Sequence, residues 1–211
     1  VLNAQNEVVD VEEVREAVPG NTVVLTIDSR LQKVAQDALE RKIISMQNDL
    51  VNYPVGEGHE ADAGAVAVVD VKTGEPLVLA SYPSYNLATY QQDYDELASS
   101  DPPRLLNRAT QGLYTPGSIF KPVVALGSLN EGVIDPSTTV TCTGVYTRWG
   151  PGNYQPRCLD VHGNINVVDA LRWSCNIFFY EAGYVLGIDG VDEYAAMLAF
   201  AQPTGIEVEE Y

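Results

Sequence analysis

Long apolar runs are missing from this sequence. No stretch approaches the roughly 18 to 20 uninterrupted apolar residues of a membrane-crossing helix, and nothing at the start has the basic-then-apolar pattern of a secretory leader. The expectation is a piece without a membrane span that begins mid-protein, any anchor lying upstream of Val1. Cationic side chains are also few: 12 Lys and Arg against 29 Asp and Glu give a net charge of −17. So acidic a surface repels nucleic acid and anionic headgroups, which excludes nucleic acid as a partner. Otherwise the charge is an ordinary solubility device that names no substrate. Cysteine is scarce too. Cys142, Cys158 and Cys175 are too few for a disulfide scaffold and contain no CxxC pair. Three readings stay open for them. A Cys142–Cys158 disulfide would close a loop rich in Gly, Pro and Tyr and contribute about 3 kcal/mol in the chain-entropy model. The thiols could equally stay free, or a metal site could add His162, although the spacing is not that of a zinc finger.

What is present reads as a globular chain, 45% hydrophobic and 19% charged. Residues 1–20 read as the end of an upstream region, closed by the Pro19-Gly20 turn signal. Val23 to Ile27 is a short β-branched run. Asp28 or Ser29 then caps a helix whose Leu31, Val34, Ala35, Ala38, Leu39 and Ile43 follow helical spacing, so one face should be buried. Residues 52–62 have loop composition. Ala65 to Val71 and Leu77 to Ala80, joined by Lys72-Thr73-Gly74-Glu75, read as a hairpin in a sheet covered on both faces. Tyr82 to Pro103 is a long polar excursion. Ser118 to Leu129 reads as a helix, apolar on nearly all sides and therefore central, with Glu131-Gly132 as its C-terminal stop. Val167 to Leu186 is helical in pattern but broken at Trp173 to Asn176, and Val191 to Phe200 makes a further short helix.

Two patterns carry chemistry. In Tyr114-Thr115-Pro116-Gly117-Ser118-Ile119-Phe120-Lys121-Pro122 a serine and a lysine stand three residues apart, so hydroxyl and amine share a helical face. Burial lowers a lysine's pKa, and the neutral amine can take the serine proton. The helix N-terminus favours the developing alkoxide. Pro122 has no N–H for the Ser118 carbonyl, so local strain or an outside donor is expected there. At Ser174-Cys175-Asn176 a hydroxyl and an amide two apart can enter one cleft, one relaying a proton and the other holding a carbonyl. The bland alternatives are a chance four-residue pattern and a local helix cap.

Taken in this order, the two patterns resemble the first two signatures of the serine acyl-transferases that bind penicillin, S-x-x-K and S-D-N, with Cys in place of the central Asp and Asn kept. Val23 to Asp28, the hairpin from Ala65 to Ser81, Leu105-Leu106-Asn107-Arg108-Ala109, Gln111-Gly112-Leu113-Tyr114, His162-Gly163 and Thr204-Gly205-Ile206-Glu207 are similar to class B high-molecular-weight penicillin-binding proteins. The third signature, K-T-G, is spelled by Lys72-Thr73-Gly74, but ahead of Ser118 and in a turn, where it reads as a decoy. After Asn176 no Lys or Arg occurs.

The resemblance implies an α/β (α+β) fold of the serine β-lactamase and transpeptidase type, incomplete here. Residues 21–211 would supply the helical lobe and the N-terminal strands of an antiparallel sheet, whose hairpin edge stays open unless another segment pairs with it. It implies a D,D-transpeptidase that cross-links peptidoglycan stem peptides: Ser118 as nucleophile, Lys121 as base, Ser174 as proton relay, Asn176 as amide-orienting group. β-Lactam antibiotics would acylate the same serine, other cell-wall synthesis proteins would be partners, and no metal or organic cofactor is needed. The location implied is the extracytoplasmic face of a bacterial membrane, and the chain alone is expected to be inactive. Rival readings are a β-lactamase or β-lactam-sensing receptor domain, and a non-catalytic cell-wall scaffold.

Overall fold

The computed structural model describes residues 3–8, 18–54 and 58–210. Most of the 1–20 reading therefore lies outside the described residues. The chain divides into two compact units, Val1–Ala109 and Thr110–Tyr211, and no helix among the described residues is long and apolar enough to cross a membrane.

In the first unit, helix α1 (Ser29–Asn48) starts where the Asp28 carboxylate accepts the Arg30 and Leu31 N–H groups at 2.8 and 3.1 Å. That satisfies two of the donors a helix start leaves open. Strands β1 (Gly64–Val69) and β2 (Pro76–Tyr82) pair antiparallel, with Val66 opposite Ala80 and Val68 opposite Val78. Val78 and Ala80 point into the core with Ile43 of α1. The approach is close at Gly64, where a Cβ would stand 3.2 Å from Leu39 and 3.3 Å from Ile43.

Two expectations need correction. The hairpin is not covered on both faces: α1 packs on one, while Val69 is half exposed and Val71 fully so. Nor is the whole apolar stripe of α1 buried, since Leu31 and Val34 face out. The reason is local. The first turns of α1 are held to β2 by Gln32, whose side chain donates to Leu79 O and accepts from Leu79 N, both at 2.9 Å. Asp28 N donates to Leu77 O and Thr26 Oγ1 to Pro76 O. The Val23–Ile27 run thus lies outside any strand, yet its end and Gln32 satisfy the outer edge of β2, so that side is not the open edge anticipated. Helix α2 (Tyr94–Ala98) interrupts the long excursion and buries Leu97. Helix α3 (Arg108–Gln111) is a single turn where the two units meet in sequence.

In the second unit a 3₁₀ turn (Gly117–Phe120) leads into α4 (Lys121–Asn130). Strands β3 (Val140–Cys142) and β4 (Gly163–Ile165) pair antiparallel. Asn166 then caps α5 (Val167–Arg172) by accepting from Asp169 N at 3.0 Å. After a break comes α6 (Asn176–Met197), kinked where Gly187 takes φ 78°. The 191–200 helix is thus the second half of α6, ending at Met197.

The core gathers Phe178, Ala170, Cys142, Cys175, Ile177 and Ala182 with Ala125 of α4. Helix α4 meets α6 so closely at Gly127 that a Cβ there would stand 2.9 Å from both Leu186 and Tyr194. Elsewhere on the helix Leu126 is 46% exposed, so α4 is not the all-round buried helix its composition suggested. The mixture of helices and small antiparallel sheets is the α/β (α+β) class expected.

Candidate active site

Ser118 stands in the 3₁₀ turn, exposed, immediately before the first residue of α4. Gly117 supplies the bend with φ 58°, a conformation glycine adopts without steric cost. The carbonyl that Pro122 cannot serve is satisfied without strain, because Lys121 N–H donates to Ser118 O. Tightening the helix entry to i→i+3 bonding is the local answer to the missing donor, and no outside donor is needed.

The Lys121 ammonium turns toward the break between α5 and α6. It donates to Ser174 O at 2.6 Å, Ser174 Oγ at 3.0 Å and Asn176 Oδ1 at 2.7 Å. Lys121, Ser174 and Asn176 are therefore brought together. Ser118 precedes Lys121 by one turn and is not joined to them: among the described residues its hydroxyl makes no hydrogen bond, to Lys121 or any other group. Burial pushes the Lys121 amine below the ordinary value of 10.5, opposed by the thiols of Cys158 and Cys175. A neutral lysine keeps two N–H donors and gains a lone pair, so it can hold two of its acceptors and still take a proton.

Ser174 adopts φ 52°, which costs a non-glycine residue on the order of 1 kcal/mol or more. The turn is held on both sides. Ser174 N donates to Leu171 O and Cys175 N to Ala170 O, ending α5. Asn176 then opens α6 as a helical residue, and Cys175 at the N-cap makes no side-chain cap bond. The motif is therefore no ordinary helix cap. Asn176 Nδ2 donates to Arg157 O at 3.1 Å, which aims Oδ1 at Lys121.

Beneath the motif lie the three cysteines. All are free, so the Cys142–Cys158 disulfide is absent. The loop they flank is closed instead by backbone pairing, Tyr146 N to Pro156 O and Cys158 N to Gly144 O. Cys142, Cys158, His162 and Cys175 offer four ligand atoms all within 4.8 Å of one another. His162 Nδ1 is 3.4 Å from Cys142 Sγ and 3.5 Å from Cys158 Sγ, and the Cys158 and Cys175 sulfurs are 3.8 Å apart. A tetrahedral Zn²⁺ with bonds of about 2.3 Å to sulfur and 2.0 Å to nitrogen sets S···S near about 3.8 Å and S···N near about 3.5 Å. The donor chemistry fits Zn²⁺, and these three distances match its tetrahedral spacing.

Cys158 Sγ also accepts Asn176 N–H at 3.2 Å, tying the cluster to the Ser-x-Asn motif. Burial raises the Cys158 thiol, but N–H groups of Asp160, Asn176 and Ile177 outweigh it and bring it down to about 6. Burial pushes Cys175 the other way, up to about 12. Of the three readings open for the cysteines, the metal reading that adds His162 is the one whose donors stand together here, without the spacing of a zinc finger. The available signal was that all three cysteines and one of only two histidines fall between positions 142 and 175.

Lys72-Thr73-Gly74 is turn geometry, as expected. Asp70 Oδ1 accepts Lys72 N and Thr73 N, and Gly74 takes φ 79°.

Residues 64–211 match the family described as the penicillin-binding protein transpeptidase domain. The chain is 33% identical over 221 residues to the peptidoglycan D,D-transpeptidase MrdA of Haemophilus influenzae, covering 99% of this chain and 30% of that protein. Among solved structures it resembles the penicillin-binding protein PBP2 of Helicobacter pylori in complex with MreC, with TM-score 0.72 and 28% identity over 100% of this chain and 36% of that one. It also resembles Pseudomonas aeruginosa PBP2 in complex with WCK 5153, with TM-score 0.68 and 29% identity over 91% of this chain and 42% of that one. The chain thus spans about a third of the relatives it matches, and it belongs to the penicillin-binding protein transpeptidase family.

Proposed function

We propose that the protein containing this chain is a serine-type D-Ala-D-Ala transpeptidase that cross-links peptidoglycan stem peptides. The observation that carries the reading is the Lys121 ammonium, one turn after Ser118 and held by Ser174 and Asn176. Ser118 Oγ attacks the carbonyl of the penultimate D-Ala and gives its proton to Lys121. The start of α4 favours the oxygen charge that develops there. Ser174 Oγ passes a proton to the departing D-Ala amine while Asn176 orients the stem-peptide amide. The amine of a second stem peptide then attacks the acyl-serine and releases the enzyme. A β-lactam acylates the same serine and stays.

Residues 21–211 act as the N-terminal portion of the transpeptidase domain. Its substrate lies outside the cytoplasmic membrane, so the site works on that side. The Helicobacter pylori relative was solved with MreC, which supports a partner of the cell-wall synthesis class here. No Lys or Arg follows Asn176, so the family's third motif has no counterpart there and the 211-residue chain alone should turn over nothing. The test is D-alanine release from a pentapeptide stem by the full-length gene product. Release that disappears in Ser118→Ala supports the reading; equal release from that variant, or none from the wild type, overturns it.

A further inference from the structure

We propose that Cys158 and Cys175 form an oxidation site, a reversible disulfide that excludes metal from the cysteine–histidine cluster and unsettles the Ser174-Cys175-Asn176 motif. Its second half rests on the acylation reading above. The Cys158 thiol lies 3.8 Å from Cys175 Sγ, in direct contact. Closing an S–S bond of about 2.05 Å requires the sulfurs to approach by about 1.8 Å. Access decides the order of events. Cys175 and Cys142 are buried at 0% and 1% exposure, whereas Cys158 is partly exposed at the end of a surface loop. An external oxidant therefore reaches Cys158 first, and the buried Cys175 sulfur lies in contact with it. Cys142 Sγ, within 4.8 Å of both sulfurs, is the competing partner, and its thiol is engaged in donating to Asp160 O at 3.4 Å beside the His162 ring.

With a peroxide the step balances as follows. Cys158 sulfur attacks one peroxide oxygen, the O–O bond breaks, and a sulfenic acid and water form once the released oxygen takes up a proton. Cys175 sulfur then attacks the sulfenic sulfur, the S–S bond forms, the S–O bond breaks, and a second water leaves. Two thiols are oxidised and one peroxide is reduced. A small-molecule disulfide does the same by exchange through a mixed disulfide on Cys158, releasing two thiols.

The consequence for the motif follows from where these sulfurs sit. Cys175 is the residue between Ser174 and Asn176, and Cys158 Sγ is the acceptor for Asn176 N–H at 3.2 Å. The neighbouring Arg157 O fixes the Asn176 amide. Drawing the two sulfurs together shifts the acceptor of the Asn176 backbone N–H and, through the adjoining residue, Arg157 O, which holds the side-chain amide that faces Lys121. A bound Zn²⁺ or Co²⁺ instead occupies both sulfurs and blocks oxidation.

The experiment treats the chelator-stripped, reduced 211-residue chain with equimolar hydrogen peroxide and follows thiols, peptide cross-links and Co²⁺ absorption. Free thiols should fall from three to one. The cross-linked peptides should be those of Cys158 and Cys175, in the wild type and in Cys142→Ser alike. Co²⁺ binding should vanish and return with dithiothreitol, and metal-loaded chain should oxidise about tenfold more slowly or slower still. A link through Cys142, three surviving thiols, or equal rates with and without metal overturns the proposal.

For the motif, peroxide should slow fluorescent-penicillin acylation of the full-length product about tenfold, reversibly by dithiothreitol. Unchanged acylation despite a mapped Cys158–Cys175 bond overturns the coupling. Thiol and Co²⁺ readouts need no enzyme activity, so failure of the switch is separable from failure of the transpeptidase reading, which shows as no acylation before any oxidant is added.

Discussion

Lys121 Nζ donates to Asn176 Oδ1 across 2.7 Å, although the two residues stand on different helices, α4 and α6. Arg157 O takes the other end of the same amide, so the lysine faces a neutral acceptor. An amine beside a neutral acceptor can lose its proton; one beside a carboxylate holds it.

Asn176→Asp converts that acceptor into a carboxylate of the same shape. In the full-length product the wild-type acylation rate should rise with pH, as the amine becomes neutral, and level off below the ordinary lysine value of 10.5. The aspartate variant should be slower at neutral pH by about 10²-fold, with its rise displaced to higher pH. Stopped-flow acylation across pH checks this, and superimposed profiles would contradict it.

Gly127→Ala should destabilise the second unit by about 1–3 kcal/mol. Its Cβ would meet Leu186 and Tyr194 at 2.9 Å, in a face where α4 and α6 are already in contact. Urea unfolding of variant and wild type checks the value; an unchanged midpoint would mean that the helices sit further apart.

Tyr146 is buried with its hydroxyl on Glu181 Oε2 at 2.7 Å, while Arg148 pairs with the other carboxylate oxygen. Burial and then the Glu181 contact push the phenol from 10.0 up to about 12. The folded state thus holds the proton more tightly than the unfolded one. The stability this gives is complete below pH 10 and is lost as pH rises toward 12. Tyr146→Phe should remove that part of the alkaline fall, read as chemical denaturation at each pH against wild type.

What could be read in the residues alone was what depends on near neighbours. The Asp28 cap, the hairpin around Lys72-Thr73-Gly74 and the break at Trp173 to Asn176 are all set within a few positions, and all are present. The 3₁₀ entry at Ser118 was half legible: Pro122 announced an unserved carbonyl, but whether strain, an outside donor or a tighter turn would answer it depends on the geometry of Gly117. Burial of α4 and of the hairpin was misjudged, because composition shows that a face can be buried and not whether this chain supplies the cover. Which of the three cysteine readings holds was undecided for a topological reason. The cluster's donors come from the end of β3, the loop before β4 and the cap of α6, and only β3–β4 pairing together with the packing of α6 brings Cys175 to the other three.

If the cluster holds Zn²⁺ as its spacing indicates, zinc should stabilise the chain by about 2.7 kcal/mol at a hundredfold excess over its Kd. Thermal unfolding with zinc and with a chelator measures the difference, and Cys142→Ser should shrink it. Equal melting temperatures with and without zinc would contradict the fit.

The most direct measurement on the central claim is to acylate the full-length gene product with a penicillin and map the adduct by peptide mass spectrometry. The account predicts one adduct, on the peptide carrying Ser118 and Lys121, at the serine, with none formed in Ser118→Ala. An adduct on any other residue, or undiminished acylation of that variant, would contradict it.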